Sequence, residues 1–515
     1  MATTSRTAYQ LHHGRPSALD HRCVHQVRPL HQSLPSGRDL GETLLSRPMQ
    51  FASRFSLDAK IQSRRSDCSF VHRMRGVHKF VPDWETARGV IFVETLTTPV
   101  TPAAVRQNAR RDDGAYVFHH PPKFTWSNVA LPPLAWNHYS LYLHVPFCRA
   151  ICTFCTFERT QYSKSSMDAF FDALLDEVDL REQSDDFTQA TLDSIYLGGG
   201  TASLLSNEQI SQFLGRLRSG FGLHDDIECT LECEPGTKRE DDFREVRDAG
   251  VNRVSIGVQS FSDQLLPALN RRHTVATSYR TIEAAHNAGF SNIHIDLMYG
   301  LPNQTLADWK FSVNEAIRLG IQHVSVYRLI IFQDELLARK LGQGELQPPA
   351  DAGTIEEMRR YALETLPANG LRQYSLTEFA KPGNECIYVQ RNWDGSDYLG
   401  FGPAAYSRHA HHLWENTVFH HRYHELTDDH RLPVGKGITM TPHECLARDV
   451  AMGLCLLSVD IAHVERQSGA SLDEIFGRKI AQLVDDGLLR RTRDRIYLTD
   501  EGLLYATYIM KRFTA

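Results

Sequence analysis

The rhythm of apolar and polar positions changes at about residue 140. From there six short apolar runs appear, rich in β-branched and aromatic residues: Ser140–Pro146, Ser194–Gly200, Glu228–Pro235, Arg253–Gln259, Asn292–Gly300 and His323–Ile331. Between them lie segments with a helical period. In the first of these, Met167, Phe170, Phe171, Leu174, Leu175 and Val178 follow the i, i+3, i+4, i+7, i+8 spacing of one buried helix face. Strand and helix in strict alternation predict parallel pairing with right-handed crossovers. Six such units are too few to close an eight-stranded barrel, so the pattern predicts an α/β fold built as an open, six-stranded partial (β/α)6 barrel. In parallel barrels the functional residues gather at the C-terminal ends of the strands.

After residue 335 the alternation stops. A helix is expected near Ala352–Leu366, then Arg372–Phe379, the glycine-rich run Tyr398–Ser407, and a mostly helical segment from about Pro442. Its close, with a helix over Leu472–Asp486, Arg495–Leu498 and Thr499–Gly502, predicts a small winged-helix-like cap. The expected organisation is a basic segment 1–80, a lead-in 81–139, the barrel 140–335, a C-terminal extension 336–440 and a helical cap 441–515, the last two making a mixed, largely helical C-terminal region.

Charge separates the first segment from the rest. Residues 1–80 carry 13 Lys+Arg against 5 Asp+Glu, whereas the whole chain has a net charge of -6, so the remainder is strongly acidic. These 80 residues show no sustained period and are expected to be disordered. Their Arg-rich, acid-poor composition fits an organellar transit peptide, and an over-extended start would look the same. Without a transit peptide the expectation is cytoplasmic. The acidic body argues against nucleic acid as a partner. No stretch reaches the ~18 apolar residues of a membrane span.

Ten cysteines in 515 residues are too few for a disulfide scaffold, yet three of them fall within CRAICTFC as Cys148, Cys152 and Cys155. Three thiolates can hold three corners of a [4Fe-4S] cubane and leave the fourth iron open. Tetrahedral zinc is the alternative, but it needs a fourth ligand, and the nearest candidate, His144, sits inside a predicted strand. Further on, the run IYLGGGTAS ends a strand in three glycines that let the backbone approach a bound molecule closely. Glu232, Glu234, Gln259 and Asp296 stand in or at the ends of apolar strands, where an unpaired polar group is costly. Any one of them could be a satisfied core residue, but four in similar places point to a site.

The motifs YLHVPFCRAICTFC, YLGGGTAS, LECEPGT, IGVQSF, NRRHT, IDLMYGLP and YLGFGPAAYS occur in that order. In this the chain from about 140 to 430 resembles the radical S-adenosylmethionine (SAM) enzymes related to oxygen-independent coproporphyrinogen III oxidase, a group that also includes heme chaperones and class C radical SAM methyltransferases. The resemblance implies a radical SAM partial barrel with a [4Fe-4S] cluster on Cys148, Cys152 and Cys155. It implies SAM contacts from Tyr142, Gly200, Thr201, Glu232, Gln259, Arg271 and Asp296, an adenine-side aromatic at Phe154, and further contacts at Tyr327 and Ile330 on the sixth strand. It also implies a small-molecule substrate and an electron donor such as flavodoxin or ferredoxin.

Two departures bear on the reaction. Phe157 stands where the oxidase has a further cysteine, and Tyr388–Trp393 (YVQRNW) stands where the chaperones carry His-Asn-x-x-Tyr-Trp. Removing both porphyrin-linked signatures leaves methyl or methylene transfer as the expected reaction. Porphyrin-linked oxidative decarboxylation and heme transfer are the alternatives. His409, His411, His412, His420, His421 and His424 are read as loop residues rather than ligands.

Overall fold

The computed structural model describes residues 120–514, apart from 225, 333 and 334. The expectation of disorder over 1–80, and most of the lead-in, lies outside the described residues.

The six apolar runs form six parallel strands: β1 (His138–Val145), β2 (Thr191–Gly199), β3 (Glu228–Cys233), β4 (Arg253–Gln259), β5 (Ile293–Tyr299) and β6 (His323–Arg328). Helices α1 (Lys164–Ser184), α2 (Asn207–Gly220), α3 (Glu240–Asp248), α4 (Val275–Asn287) and α5 (Leu306–Arg318) make the crossovers. Their starts follow from local chemistry. Ser163 accepts a hydrogen bond from the Ser166 amide, and Ser206 with Gln209 and Thr305 with Asp308 close capping boxes, each satisfying orphan amides of a first turn.

The sheet is wider than six strands. Beyond β6 it adds β7 (Glu378–Ala380) and Arg372–Gln373, both antiparallel. Beyond β1 it adds β8 (Asp397–Phe401), which is parallel to β1, then β9 (Tyr406–His409), β10 (His412–Asn416), β11 (Val434–Thr439) and Ser127–Asn128. The six-stranded expectation therefore missed a seventh parallel strand. It lies in the glycine-rich run, whose composition reads as a turn. Gly400 is needed there because a Cβ would stand 2.2 Å from the Tyr406 carbonyl oxygen.

The two faces of the sheet differ. On one, Leu141, Leu143, Ile195, Leu231, Val254, Ile256, Ile295 and Val324 pack with Phe170, Leu174, Phe213, Phe243 and Trp309 of the crossover helices in one core. The alternate positions on the other face are polar: Ser140, Tyr142 and His144 on β1, Thr230 and Glu232 on β3, Arg253, Ser255 and Gln259 on β4, His294 and Asp296 on β5, and His323, Ser325 and Tyr327 on β6. A parallel sheet filled for stability alone would carry aliphatic residues on both faces. This polar inner face is therefore a feature that stability does not require.

The C-terminal region has its own core, including Leu446, Val450, Leu472, Phe476, Ile480, Ile496, Ile509 and Phe513. Five helices (Pro442–Gly453, Ile461–Ser468, Leu472–Asp485, Asp500–Leu504 and Ala506–Thr514) accompany a three-stranded sheet of Ser458–Asp460, Arg495–Leu498 and Leu489–Arg491. A buried bidentate pair, Arg408 to Asp449 at 2.6 and 2.8 Å, ties helix Pro442–Gly453 to β9. Among the described residues no helix is long and apolar enough to cross a membrane.

Candidate functional site

The chain leaves β1 through Phe147–Cys148, which pairs in parallel with Thr160–Gln161 and so closes the loop that carries all three cysteines. Cys148 is buried, and Cys152 and Cys155 are half-buried. The loop is held from two sides. The segment after β4 meets it through the Thr153 amide to Leu269 O (3.2 Å), the Thr153 hydroxyl to Ala268 O (2.9 Å), Asn270 Nδ2 to Ile151 O (2.7 Å) and Arg272 Nη1 to Arg149 O (3.3 Å). From the segment after β6, the Leu337 amide donates to Thr153 O at 3.1 Å and Glu335 pairs with Arg159 at 3.4 Å.

Gly200, just past β2, closes the loop from below. Its amide donates to Val145 O at 2.8 Å, and a Cβ there would stand 2.8 Å from Phe147 O and 2.9 Å from Cys148 Sγ. Thr201 is buried and its hydroxyl is hydrogen-bonded to the Cys148 thiol. Arg271 joins the loop to the strand ends: Nη1 donates to Cys152 Sγ at 3.4 Å and Nη2 to Gly257 O at 2.8 Å, while its buried Nε has no partner.

The thiols suit a metal. Burial, with the other two thiols and Glu234 nearby, pushes Cys148 up to about 11, and burial also raises Cys155. Thiolates in such a place become stable when cationic iron compensates them. His144, the fourth ligand a zinc site would need, is already engaged. Its Nε2 lies 3.0 Å from the Glu158 carbonyl, which only accepts, so Nδ1 is the acceptor for the Tyr142 hydroxyl at 3.2 Å. Burial lowers its pKa to about 4, so the ring is neutral. Three thiols with no fourth protein ligand among the described residues fit a cubane cluster with one open iron.

On the inner face next to this loop, Glu232 accepts from the Tyr196 hydroxyl at 2.8 Å and from the Gly199 amide at 3.1 Å. Burial raises its pKa to about 7. Asp296 is pushed up to about 8, first by burial and then by the charges of Glu232 and Glu378, although 22% of its side chain is exposed. Gln259 ends β4 at φ 66°, a left-handed conformation that costs a non-glycine residue energy and marks a functional constraint. A Cβ on Gly257 would meet Gln259 Nε2 at 3.1 Å and Arg271 Nη2 at 3.2 Å, so these two side chains converge over a glycine. Tyr142 stacks with Tyr196 (6.2 Å between centroids) and with Tyr388 (5.7 Å).

The remaining sequence-predicted residues lie further out. Phe154 packs against the cluster of Leu265, Leu269, Met298, Leu301, Leu329 and Leu337. Tyr327 is exposed, and its hydroxyl donates to Glu378 Oε1 at 3.0 Å. Ile330 is not on the sixth strand as expected, because β6 ends at Arg328 and Ile330 follows in the loop. The six histidines are not all the loop residues expected, since His409 and His412 lie on strands and His420, His421 and His424 on one helix, and among the described residues they form no metal-ligand group. His409 meets Ala135 O, His411 meets Gln467 O, His412 meets Thr439 and His420 meets Thr160.

Sequence reasoning missed a buried group on β5, β6 and β7, where His294, His323 and Glu378 bring potential metal-ligand atoms within 4.8 Å of one another. Hydrogen bonds occupy most of its ligand atoms without a metal, the buried His294 Nδ1 alone having no partner. Arg253 donates to His323 Nδ1, so the proton of His323 is on Nε2 and points to Glu378 Oε2 at 2.9 Å. The Ser325 hydroxyl lies between His294 Nε2 and Glu378, where a metal would have to sit. Glu378 accepts from His323, Ser325, Tyr327 and Thr377, which fills its acceptor sites. Only tertiary structure could reveal this group, since His294, His323 and Glu378 are 29 to 84 positions apart in the chain.

A cluster-binding loop at the C-terminal end of a parallel α/β sheet, beside a polar inner face, defines the radical SAM class. Family profiles agree: the radical SAM superfamily matches residues 142–316 and a HemN C-terminal domain matches residues 440–505. The heme chaperone HemW of Lactococcus lactis is 30% identical over 378 residues, covering 73% of this chain and 97% of that protein. The oxygen-independent coproporphyrinogen III oxidase of Salmonella typhimurium is 29% identical over 394 residues, covering 73% and 85%. The solved structure of coproporphyrinogen III oxidase (HemN) from Escherichia coli matches with a TM-score of 0.66 at 25% identity, covering 77% of this chain and 96% of that one. The chain belongs to the radical SAM family of HemW heme chaperones and oxygen-independent coproporphyrinogen III oxidases, which uses a [4Fe-4S] cluster and SAM. These relatives give no support to the expected methyl or methylene transfer and favour the two alternatives, oxidative decarboxylation and heme transfer.

Proposed function

We propose that this chain is a radical SAM enzyme acting on a tetrapyrrole. Cys148, Cys152 and Cys155 hold the cluster, and Tyr142, Gly200, Thr201, Glu232, Gln259, Arg271 and Asp296 receive SAM. A cluster held there would pass one electron from a donor to SAM, whose carbon–sulfur bond would break to give methionine and a 5'-deoxyadenosyl radical. Barrel residues 140–335 carry this chemistry, with 336–440 extending the sheet and 441–515 as a cap.

The observation that carries the reading is the bridge made by Arg271, which binds both Cys152 Sγ and the Gly257 carbonyl and so makes the cysteine loop and the strand ends one site. The protein's own part is electrostatic and positional. Glu232 and Asp296 offer carboxylates to a cationic ligand, and Arg271 offers its unpaired Nε to an anionic one. The tetrapyrrole substrate is supported by the names of the relatives, a heme chaperone and a coproporphyrinogen oxidase.

Anaerobic incubation of the reconstituted protein with SAM and dithionite, with and without coproporphyrinogen III, tests this. The expected result is 5'-deoxyadenosine that increases with the tetrapyrrole, together with a decarboxylated product. Tight heme binding with no tetrapyrrole-dependent 5'-deoxyadenosine would favour the second reading, a heme chaperone, which the identity to HemW supports.

A further inference from the structure

We propose that the outer face of the cysteine loop is the docking surface for an acidic one-electron carrier protein. This rests on the reading that a cluster sits on Cys148, Cys152 and Cys155, because such a cluster must be reduced from outside.

The first argument is charge. The loop Phe147–Lys164 and the segment Leu266–Thr274 that holds it contain five basic side chains, Arg149, Arg159, Lys164, Arg271 and Arg272, against one acid, Glu158. Outside the first 80 residues the chain carries 43 Lys+Arg against 57 Asp+Glu, so this is a local reversal of sign. Arg159 and Lys164 are used internally, in pairs with Glu335 and Asp168, and Arg271 points inward to Cys152. Arg149 and Arg272 are different. Both are exposed, and among the described residues neither makes an ion pair. The Arg272 guanidinium donates to the Arg149 carbonyl at 3.3 Å, which places the two on one surface.

The second argument is the apolar surface beside these charges. Ile151 and Phe157 belong to the same loop and are both exposed, Phe157 at 62%. The Asn270 side chain fixes Ile151 through its carbonyl at 2.7 Å, and Arg159 donates to the Phe157 carbonyl at 2.6 Å. Exposed apolar groups held rigidly among positive charges suit a docking surface, because little ordering entropy is lost on contact. The surface is on the loop that bears the cysteines, so a carrier seated there has a short path to the cluster. Positive charge above an acidic body selects a negatively charged partner and steers its approach.

The test uses the full chain loaded with its cluster and an acidic flavodoxin as the probe. Binding of oxidised flavodoxin is titrated first, at low and high salt. The paired variant Arg149→Glu with Arg272→Glu is expected to weaken binding at least tenfold at low salt, and the paired lysine variant to retain it. SAM cleavage is then followed with reduced flavodoxin and, separately, with dithionite. The glutamate variant should lose most of the flavodoxin-driven rate and keep the dithionite-driven rate. Unchanged flavodoxin affinity in the glutamate variant would overturn the proposal. An equal loss in both reductant arms would also overturn it, since that indicates a damaged loop. If neither arm cleaves SAM in the parent protein, the functional reading fails, while the titration still decides the docking surface.

Discussion

Replacing Gly200 by alanine tests whether the cysteine loop and β2 fit together as tightly as the geometry indicates. The new methyl would lie 2.8 Å from Phe147 O, 2.9 Å from Cys148 Sγ and 3.0 Å from Val145 O. Two of these three are backbone oxygens of segments that are themselves paired, so they cannot turn aside as the end of a flexible side chain would. Overpacking of this kind costs about 1–3 kcal/mol. Movement of Gly200 away would also stretch its 2.8 Å hydrogen bond to Val145, worth about 0.5–1.5 kcal/mol. Together these give a loss of about 1.5–4.5 kcal/mol. If the strain is relieved at the thiol instead, Cys148 moves and a cluster ligand is misplaced. Thermal unfolding of the cluster-free protein and iron content after anaerobic reconstitution separate these two routes, and at least one should fall. The control is Gly215→Ala on α2, where nothing lies within 4 Å of the new methyl. It should stabilise the protein by about 0.5–1 kcal/mol through helix propensity. A Gly200→Ala protein with the parent's melting temperature and full iron would refute the reasoning.

Three further outcomes are expected. Alanine at Cys148, Cys152 or Cys155 should each leave the cluster absent or incomplete, because no other cysteine lies nearby in sequence, and iron content with visible absorbance will report it. Since burial raises Glu232 to about 7 and Asp296 to about 8, both gain negative charge as pH rises, and affinity for cationic SAM should increase between pH 6 and 9 by up to about tenfold per unit per titrating carboxylate; equilibrium binding to the cluster-loaded protein will show whether Glu232→Gln and Asp296→Asn flatten that rise while keeping iron. Glu177, buried and hydrogen-bonded to the Gly402 amide and the Tyr423 hydroxyl, is raised from 4.5 to about 6 by burial. Its folded form holds the proton more tightly than the unfolded form, so its contribution is full below about pH 4.5 and is lost as pH rises through about 6, a change on the order of 2 kcal/mol that denaturant titrations should detect and Glu177→Gln should remove.

By itself the sequence determined the elements whose signal is local. Short apolar runs rich in β-branched and aromatic residues located six parallel strands, and a period of 3.6 located the helices between them, because each buries its apolar face in the one core whatever its neighbours are. Close spacing identified the three cysteines, and strand-end polar residues identified Glu232, Gln259 and Asp296, since a polar group in an apolar run needs a reason that can be read from one dimension. The tertiary structure decided what depends on distant partners. β8 was hidden in a glycine-rich run whose composition suggests a turn, yet Gly400 must be small there to let β9 pass. The role of His144 depended on the Glu158 carbonyl 14 residues away, which fixes its tautomer and removes it as a metal ligand. Arg271 is one of two adjacent arginines in the chain, and only folding turns it inward to Cys152 while Arg272 stays at the surface. The network around Glu378 was invisible for the same reason: a buried carboxylate is explained by the donors that surround it, and three of these, His323, Ser325 and Tyr327, come from β6, 51 or more positions earlier in the chain.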